Sequence, residues 1–124
     1  MTSDQRRILI IDDDVTALDI VDFLFEDKGF DVVRRADGVA ALDCLTTEQH
    51  PDIILIDLMM PKMNGQECVR ELRKRGVSVP VVAFTALDDP EVHLEAMTAG
   101  CNLVLTKPCK PAMLVKKIEE LLAC

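Results

Sequence analysis

At 124 residues the chain has the length of one domain, enough to bury roughly two-thirds of the surface its unfolded form exposes without disulfides or a structural metal. Fourteen Lys and Arg against twenty-two Asp and Glu give a formal charge of −8, which repels phosphate backbones and anionic lipid surfaces, so neither nucleic acid nor membrane is an expected partner. The apolar runs fall far short of the roughly 18 residues a membrane span needs, and no basic leader precedes a cleavable apolar segment, so the chain reads as cytoplasmic. The five cysteines include no CxxC pair and no histidine at ligand spacing, and read as reduced, small apolar packing residues.

In chain order, the first strand pattern is RILIID, Arg7 to Asp12, and it runs into three adjacent carboxylates, Asp12, Asp13 and Asp14. Two unit charges about 4 Å apart repel by roughly 4 kcal/mol at the effective dielectric of a protein surface, so such a triplet is either spread into solvent or gathered around a cation. Asp14 suits the cap of a helix ending before Gly29. Its period predicts a core-facing stripe of Ala17, Ile20, Val21, Leu24 and Phe25, with Asp19, Asp22 and Glu26 opposite and Val15, Leu18 and Phe23 outside or at the edge of the stripe. Further strands are predicted at Phe30 to Arg35, Asp52 to Asp57, Val79 to Thr85 and Asn102 to Thr106. Helices between and after them open at Asp37-Gly38, at Asn64, at Asp88 or Asp89 before Pro90, and at Pro111, the last covering roughly Ala112 to Leu122.

Five repeats of strand then helix, with strands such as DIILID apolar on both faces, describe a doubly wound α/β fold: a parallel sheet covered by helices on each side. No linker or repeat divides residues 1–124, which read as one domain with nothing left over for an output domain. In such a sheet functional groups collect at the carboxyl ends of the strands. Asp12 and Asp13 end the first strand, Asp57 the third and Thr85 the fourth, and Lys107-Pro108 follows the fifth. Each residue alone reads as a solvated turn or cap; jointly, at four strand ends, they read as a site. The carboxylates would raise one another's pKa unless a cation offset them, and a hard divalent ion that keeps several waters, Mg2+, suits that place. One carboxylate can then attack a phosphoryl group, which needs mainly positioning and charge neutralisation.

With these residues in place, the chain resembles the receiver domain of bacterial two-component response regulators over essentially its whole length. The resemblance is carried by Asp12-Asp13, IDLMMPKMNG (Ile56 to Gly65), FTA (Phe84 to Ala86) and TKP (Thr106 to Pro108), in that order. It implies a flavodoxin-like sheet of strand order 2-1-3-4-5, and Asp57 as acceptor of a phosphoryl group from a histidine kinase or histidine phosphotransfer protein. It also implies Mg2+, with Mn2+ as an alternative, bound by Asp13, Asp57 and the backbone carbonyl of Met59, with Asp12 helping through water. Lys107 would pair with the phosphoryl group and Thr85 would move to contact it. Pro61 and Gly65 match the turn after the acceptor, and a cis bond before Pro108 is common in the family. The expected role is phosphoacceptor signalling rather than turnover of a substrate, with a downstream protein as second partner and homodimerisation on activation as a common family behaviour. The rivals are a degenerate receiver serving as a phosphorylation-independent scaffold, and an aspartyl-phosphate phosphohydrolase, which generally wants a carboxylate where Met59 stands.

The chain departs from the family pattern at Val104, where receivers usually carry an aromatic residue that turns inward, and at Cys109, often phenylalanine. Met59 and Leu87 flank the pocket and read either as surface cover or as shields against hydrolytic water. Val15 and Leu18, beside the pocket, read either as isolated apolar residues or as a docking point for the donor. His50, His93 and the run RELRKR (Arg70 to Arg75) read as solvated. Asp12 to Asp14 lacks the glycine and distal glutamate of a calcium loop.

Overall fold

The computed structural model describes residues 5–45, 50–108 and 110–123, with the side chains of 15–18 outside that description. Strands and helices alternate as β1 (Arg7–Ile11), α1 (Val15–Asp27), β2 (Asp31–Arg35), α2 (Gly38–Cys44), β3 (Ile53–Ile56), α3 (Gly65–Lys74), β4 (Val81–Thr85), α4 (Pro90–Ala99), β5 (Leu103–Thr106) and α5 (Pro111–Ala123). Every predicted element is present. All four strand pairings are parallel and the order is β2-β1-β3-β4-β5. The chain runs outward from β1 to β2, then crosses back to β3 on the other side of β1, so the direction of winding reverses there and leaves a crevice at the carboxyl ends of β1 and β3.

The side-chain period of two builds two cores. Leu9, Ile11, Ile54, Ile56, Val81 and Ala83 point to one face and pack against α2, α3 and α4, through residues such as Leu42, Val69, Leu72 and Ala96. Ile8, Ile10, Ile53, Leu55 and Val82 point to the other and meet Phe25 of α1 and Leu114, Val115 and Ile118 of α5. The central strand β3 is buried along its length, which is why its sequence is apolar without alternation, whereas the edge strands β2 and β5 are half-buried throughout.

The helix starts follow the capping chemistry of the sequence. Asp37 accepts the Ala40 N–H at 2.8 Å, and Asn64 and Glu67 form a reciprocal capping box at 2.9 and 3.0 Å. Asp89, rather than Asp88, caps α4, with Pro90 as its first residue.

Two expectations change. Ile20, predicted for the core stripe of α1, is 56% exposed, while Asp22, predicted outward, is half-buried. Arg34 on the edge strand β2 reaches both Asp22, at 3.0 Å, and Asp19, at 2.9 Å, and this ion pair draws the Asp22 side of α1 down toward the sheet. Ala17, Val15 and Leu18 lie outside the described side chains, as does Cys109. Within RELRKR, Arg73 is a clamp rather than a solvated charge. Its guanidinium donates to the carbonyls of Val77 (2.9 Å), Val79 (2.8 Å) and Gly100 (2.7 Å) and to Asn102 Oδ1 (3.1 Å), tying the end of α3 to the entries of β4 and β5. Among the described residues no helix is long and apolar enough to cross a membrane.

Candidate functional site

Backbone bonding between neighbouring strands continues past the strand ends and fixes the predicted site residues in space. The Asp57 N–H donates to Ile11 O at 2.9 Å, Asp12 N–H to Arg35 O at 3.1 Å, and Lys107 N–H to Thr85 O at 2.7 Å. Each residue is therefore placed by a strand next to its own. Asp12 and Asp57 are 6% and 8% exposed, Thr85 is fully buried, and Asp13 is exposed. One carboxylate oxygen from each of Asp12, Asp13 and Asp57 lies within 4.8 Å of the others. Lys107 Nζ stands 3.2 Å from Asp12 Oδ2 and 3.8 Å from Asp57 Oδ2.

The remaining lone pairs are partly used by the backbone. Asp57 Oδ1 accepts the Met59 N–H at 3.1 Å, Asp12 Oδ1 accepts the Asp14 N–H at 2.9 Å, and Thr85 Oγ1 accepts the Leu87 N–H at 3.1 Å. Burial pushes the Asp57 carboxyl above its ordinary value of 3.8; the Met59 N–H and Lys107 pull it down, and the charges of Asp12 and Asp13 push it up again. The upward causes win.

With all three ionised, the carboxylates outnumber the Lys107 ammonium and leave a negative surplus in a partly desolvated crevice. The donor set is all oxygen, with no thiolate or imidazole in the cluster. It fits a hard dication such as Mg2+ or Mn2+ and none of the sulfur-seeking metals.

The loop after Asp57 explains one residue of the motif, Gly65. A Cβ on Gly65 would fall 2.6 Å from the Asp57 carbonyl oxygen and 2.7 Å from Leu58 Cα, so only glycine lets α3 start against the backbone of Asp57 and Leu58. The Gly65 N–H donates to Leu58 O at 3.0 Å and closes that turn. The Lys107–Pro108 bond is cis. Beside the crevice, Met59 and Leu87, 54% and 38% exposed, line an open groove of about 490 Å³ with Leu58, Met60, Asn64, Gln66 and Val92.

Val104 pairs with Ala83 and packs on the α3–α4 side, the same side as the core neighbours of that strand. Phe84 points to the α1–α5 side instead and lies under the Lys107 ammonium, 5.1 Å from its ring centroid. The sequence reading missed it. The signal lay in the register, since Phe84 precedes Thr85 on one strand and pairs with Leu105, two residues before Lys107, on the next.

The sequence matches the family model of the response regulator receiver domain over residues 8–119. The chain belongs to that family, the phosphoacceptor domain of two-component signal transduction. The probable transcriptional regulator ycf27 of Porphyridium aerugineum is 35% identical over 118 residues, covering 95% of this chain and 48% of that protein. The chain spans about half the length of the curated relatives it matches. Among solved structures, the receiver domain of Francisella response regulator 1452 superposes with a TM-score of 0.89 at 32% identity, covering 96% of this chain and 98% of that one. The receiver domain of the sensor histidine kinase PA1611 of Pseudomonas aeruginosa PAO1, which holds a magnesium ion coordinated in its active site cleft, superposes with a TM-score of 0.87 at 28% identity, covering 97% and 99% of the two chains.

Proposed function

We propose that Asp57 is the residue phosphorylated, by a histidine kinase or a histidine phosphotransfer protein. The observation that carries this reading is the meeting of Asp12, Asp13, Asp57 and Lys107, from three strand ends, within one crevice. An Asp57 carboxylate oxygen attacks phosphorus, an acyl phosphate O–P bond forms, the phosphohistidine N–P bond breaks, and the imidazole leaves with a proton from solvent. The Met59 N–H holds Asp57 Oδ1 and so sets the plane of the carboxylate. Lys107, already poised between Asp12 and Asp57, pairs with a phosphoryl oxygen as charge arrives. Thr85 Oγ1 accepts from Leu87 and so keeps its own proton to donate to a second phosphoryl oxygen.

Asp13, Asp57 and the Met59 carbonyl would hold Mg2+, with Asp12 acting through water; bound there, the ion would neutralise phosphoryl charge. The domain is acted on rather than turning over a substrate, because the position where a phosphohydrolase would keep its acid/base holds Met59. Its second partner is a protein that distinguishes the phosphorylated form, met in the cytoplasm. All five residues a degenerate scaffold would be free to lose are present.

The test is intact mass after incubation with acetyl phosphate, with and without Mg2+. A single phosphoryl adduct that needs the metal and vanishes in Asp57→Asn is expected. A folded protein that takes up no phosphoryl group would overturn the assignment in favour of a scaffold.

A further inference from the structure

From the stacking of Lys107 on Phe84 we infer that Phe84 is a positioning residue for phosphoryl transfer, its ring face holding the ammonium at the acceptor; this rests on the reading of Lys107 given above. The ammonium sits 5.1 Å from the ring centroid, inside the roughly 6 Å over which a ring quadrupole attracts a cation. On its other sides stand Asp12 Oδ2 at 3.2 Å and Asp57 Oδ2 at 3.8 Å. A four-carbon stem is flexible, and two carboxylates alone would let the ammonium swing between them. The ring adds attraction from below.

A π face suits this place because it attracts the cation without acting as a strong hydrogen-bond acceptor. The three N–H donors of Lys107 then remain for the carboxylates and for an incoming phosphoryl oxygen. The ring is itself held, since Phe84 packs with the α1–α5 core, and with Asp12 and Asp57 it lines a void of about 10 Å³ under the crevice. That void has room for no more than about one water molecule, so the ring closes the floor of the site closely. Phe84 also lies on the opposite side of β4 from the side chains that pack near Val104. It therefore does not stand in for the aromatic residue missing at that position. It is a separate feature, acting on Lys107 rather than on Thr85.

The experiment replaces Phe84 with phenylalanines of increasing fluorination, which drain the ring face of negative charge at nearly constant size, and adds Phe84→Tyr, Phe84→Leu and Lys107→Ala. The readouts are the Mg2+-dependent rate of phosphorylation by acetyl phosphate and the proton NMR shifts of the Lys107 side chain. Stepwise loss of rate with each fluorine is expected, reaching about three- to tenfold in Phe84→Leu, as is retention of rate in Phe84→Tyr. In the parent the Lys107 methylene signals next to the ammonium should be moved upfield by the ring, and that displacement should disappear in Phe84→Leu. A flat fluorine series, or one that rises, while Lys107→Ala still loses activity would overturn the inference and leave the site assignment standing. Full activity in Lys107→Ala would overturn both.

Discussion

At the candidate site, Asp12, Asp13, Asp57, Thr85 and Lys107 could be singled out from the sequence because each ends or closely follows an apolar strand, and a parallel sheet brings such positions to one edge. Phe84 was not, nor was the Arg73 clamp at the opposite edge of the sheet, because their partners lie on a neighbouring strand or in another turn and leave no local pattern. Met59 and Leu87 were legible as apolar flanks, and the structure places both on the groove beside the crevice. Loss of phosphate from an acyl phosphate requires water in line with the O–P bond, and apolar side chains there neither orient nor activate it. Met59→Asn and Leu87→Glu are each expected to shorten the phosphoryl lifetime several-fold, read from decay of the intact-mass adduct after donor removal; unchanged lifetimes would reduce both residues to surface cover.

Among the elements, strand and helix order followed from periodicity, whereas strand order came from the family resemblance, because five similar apolar runs do not say which neighbours which. The rotation of α1 escaped prediction for a related reason. Its period marks an apolar stripe, but the pull of Arg34 on Asp22 depends on β2 being an edge strand. The Arg73 clamp invites a direct test. Arg73→Ala removes the cationic donor from three backbone carbonyls, two of them on the approach to β4, and water can replace it only in part. A loss of about 2 kcal/mol is expected, seen as a lower urea midpoint at unchanged slope. At β5, with Val104 in place of an aromatic, activation should spread by small shifts of the strand and of α4 and α5. A phosphoryl mimic such as beryllofluoride is expected to move amide signals around Val104, and silence there would exclude β5 as the route.

For the molecule as a whole, buried titratable groups link stability to pH and to metal. Burial raises the thiols of Cys68 and Cys101 from 9.0 to about 11, with Arg75 and Arg73 pulling the other way. Because the folded-state values lie above the unfolded ones, their contribution is fully present below about 9 and is lost as pH rises through about 11. Cys68→Ala or Cys101→Ala should flatten that alkaline loss in urea titrations. The same sign holds for Asp57, whose carboxyl is raised from 3.8 by burial first and by Asp12 and Asp13 after it. Its stabilising contribution is complete below 3.8 and lost as pH rises through the raised value, so ionising this crowded carboxylate in the metal-free fold costs stability. Two consequences oppose each other usefully. Once pH has risen above the raised Asp57 value, metal-free Asp57→Asn should be more stable than the parent, by about 1 kcal/mol, because the repulsion with Asp12 and Asp13 is gone. Mg2+ should stabilise the parent by about 2.7 kcal/mol at a hundred times its dissociation constant, and Asp57→Asn far less. The metal's gain should also shrink as pH falls through the raised Asp57 value, since a proton and the cation compete for one carboxylate. A gain of equal size in parent and variant would place the metal outside the carboxylate crevice, and a less stable metal-free variant would mean that Asp57 is held there by attraction to Lys107 rather than against repulsion from its neighbours.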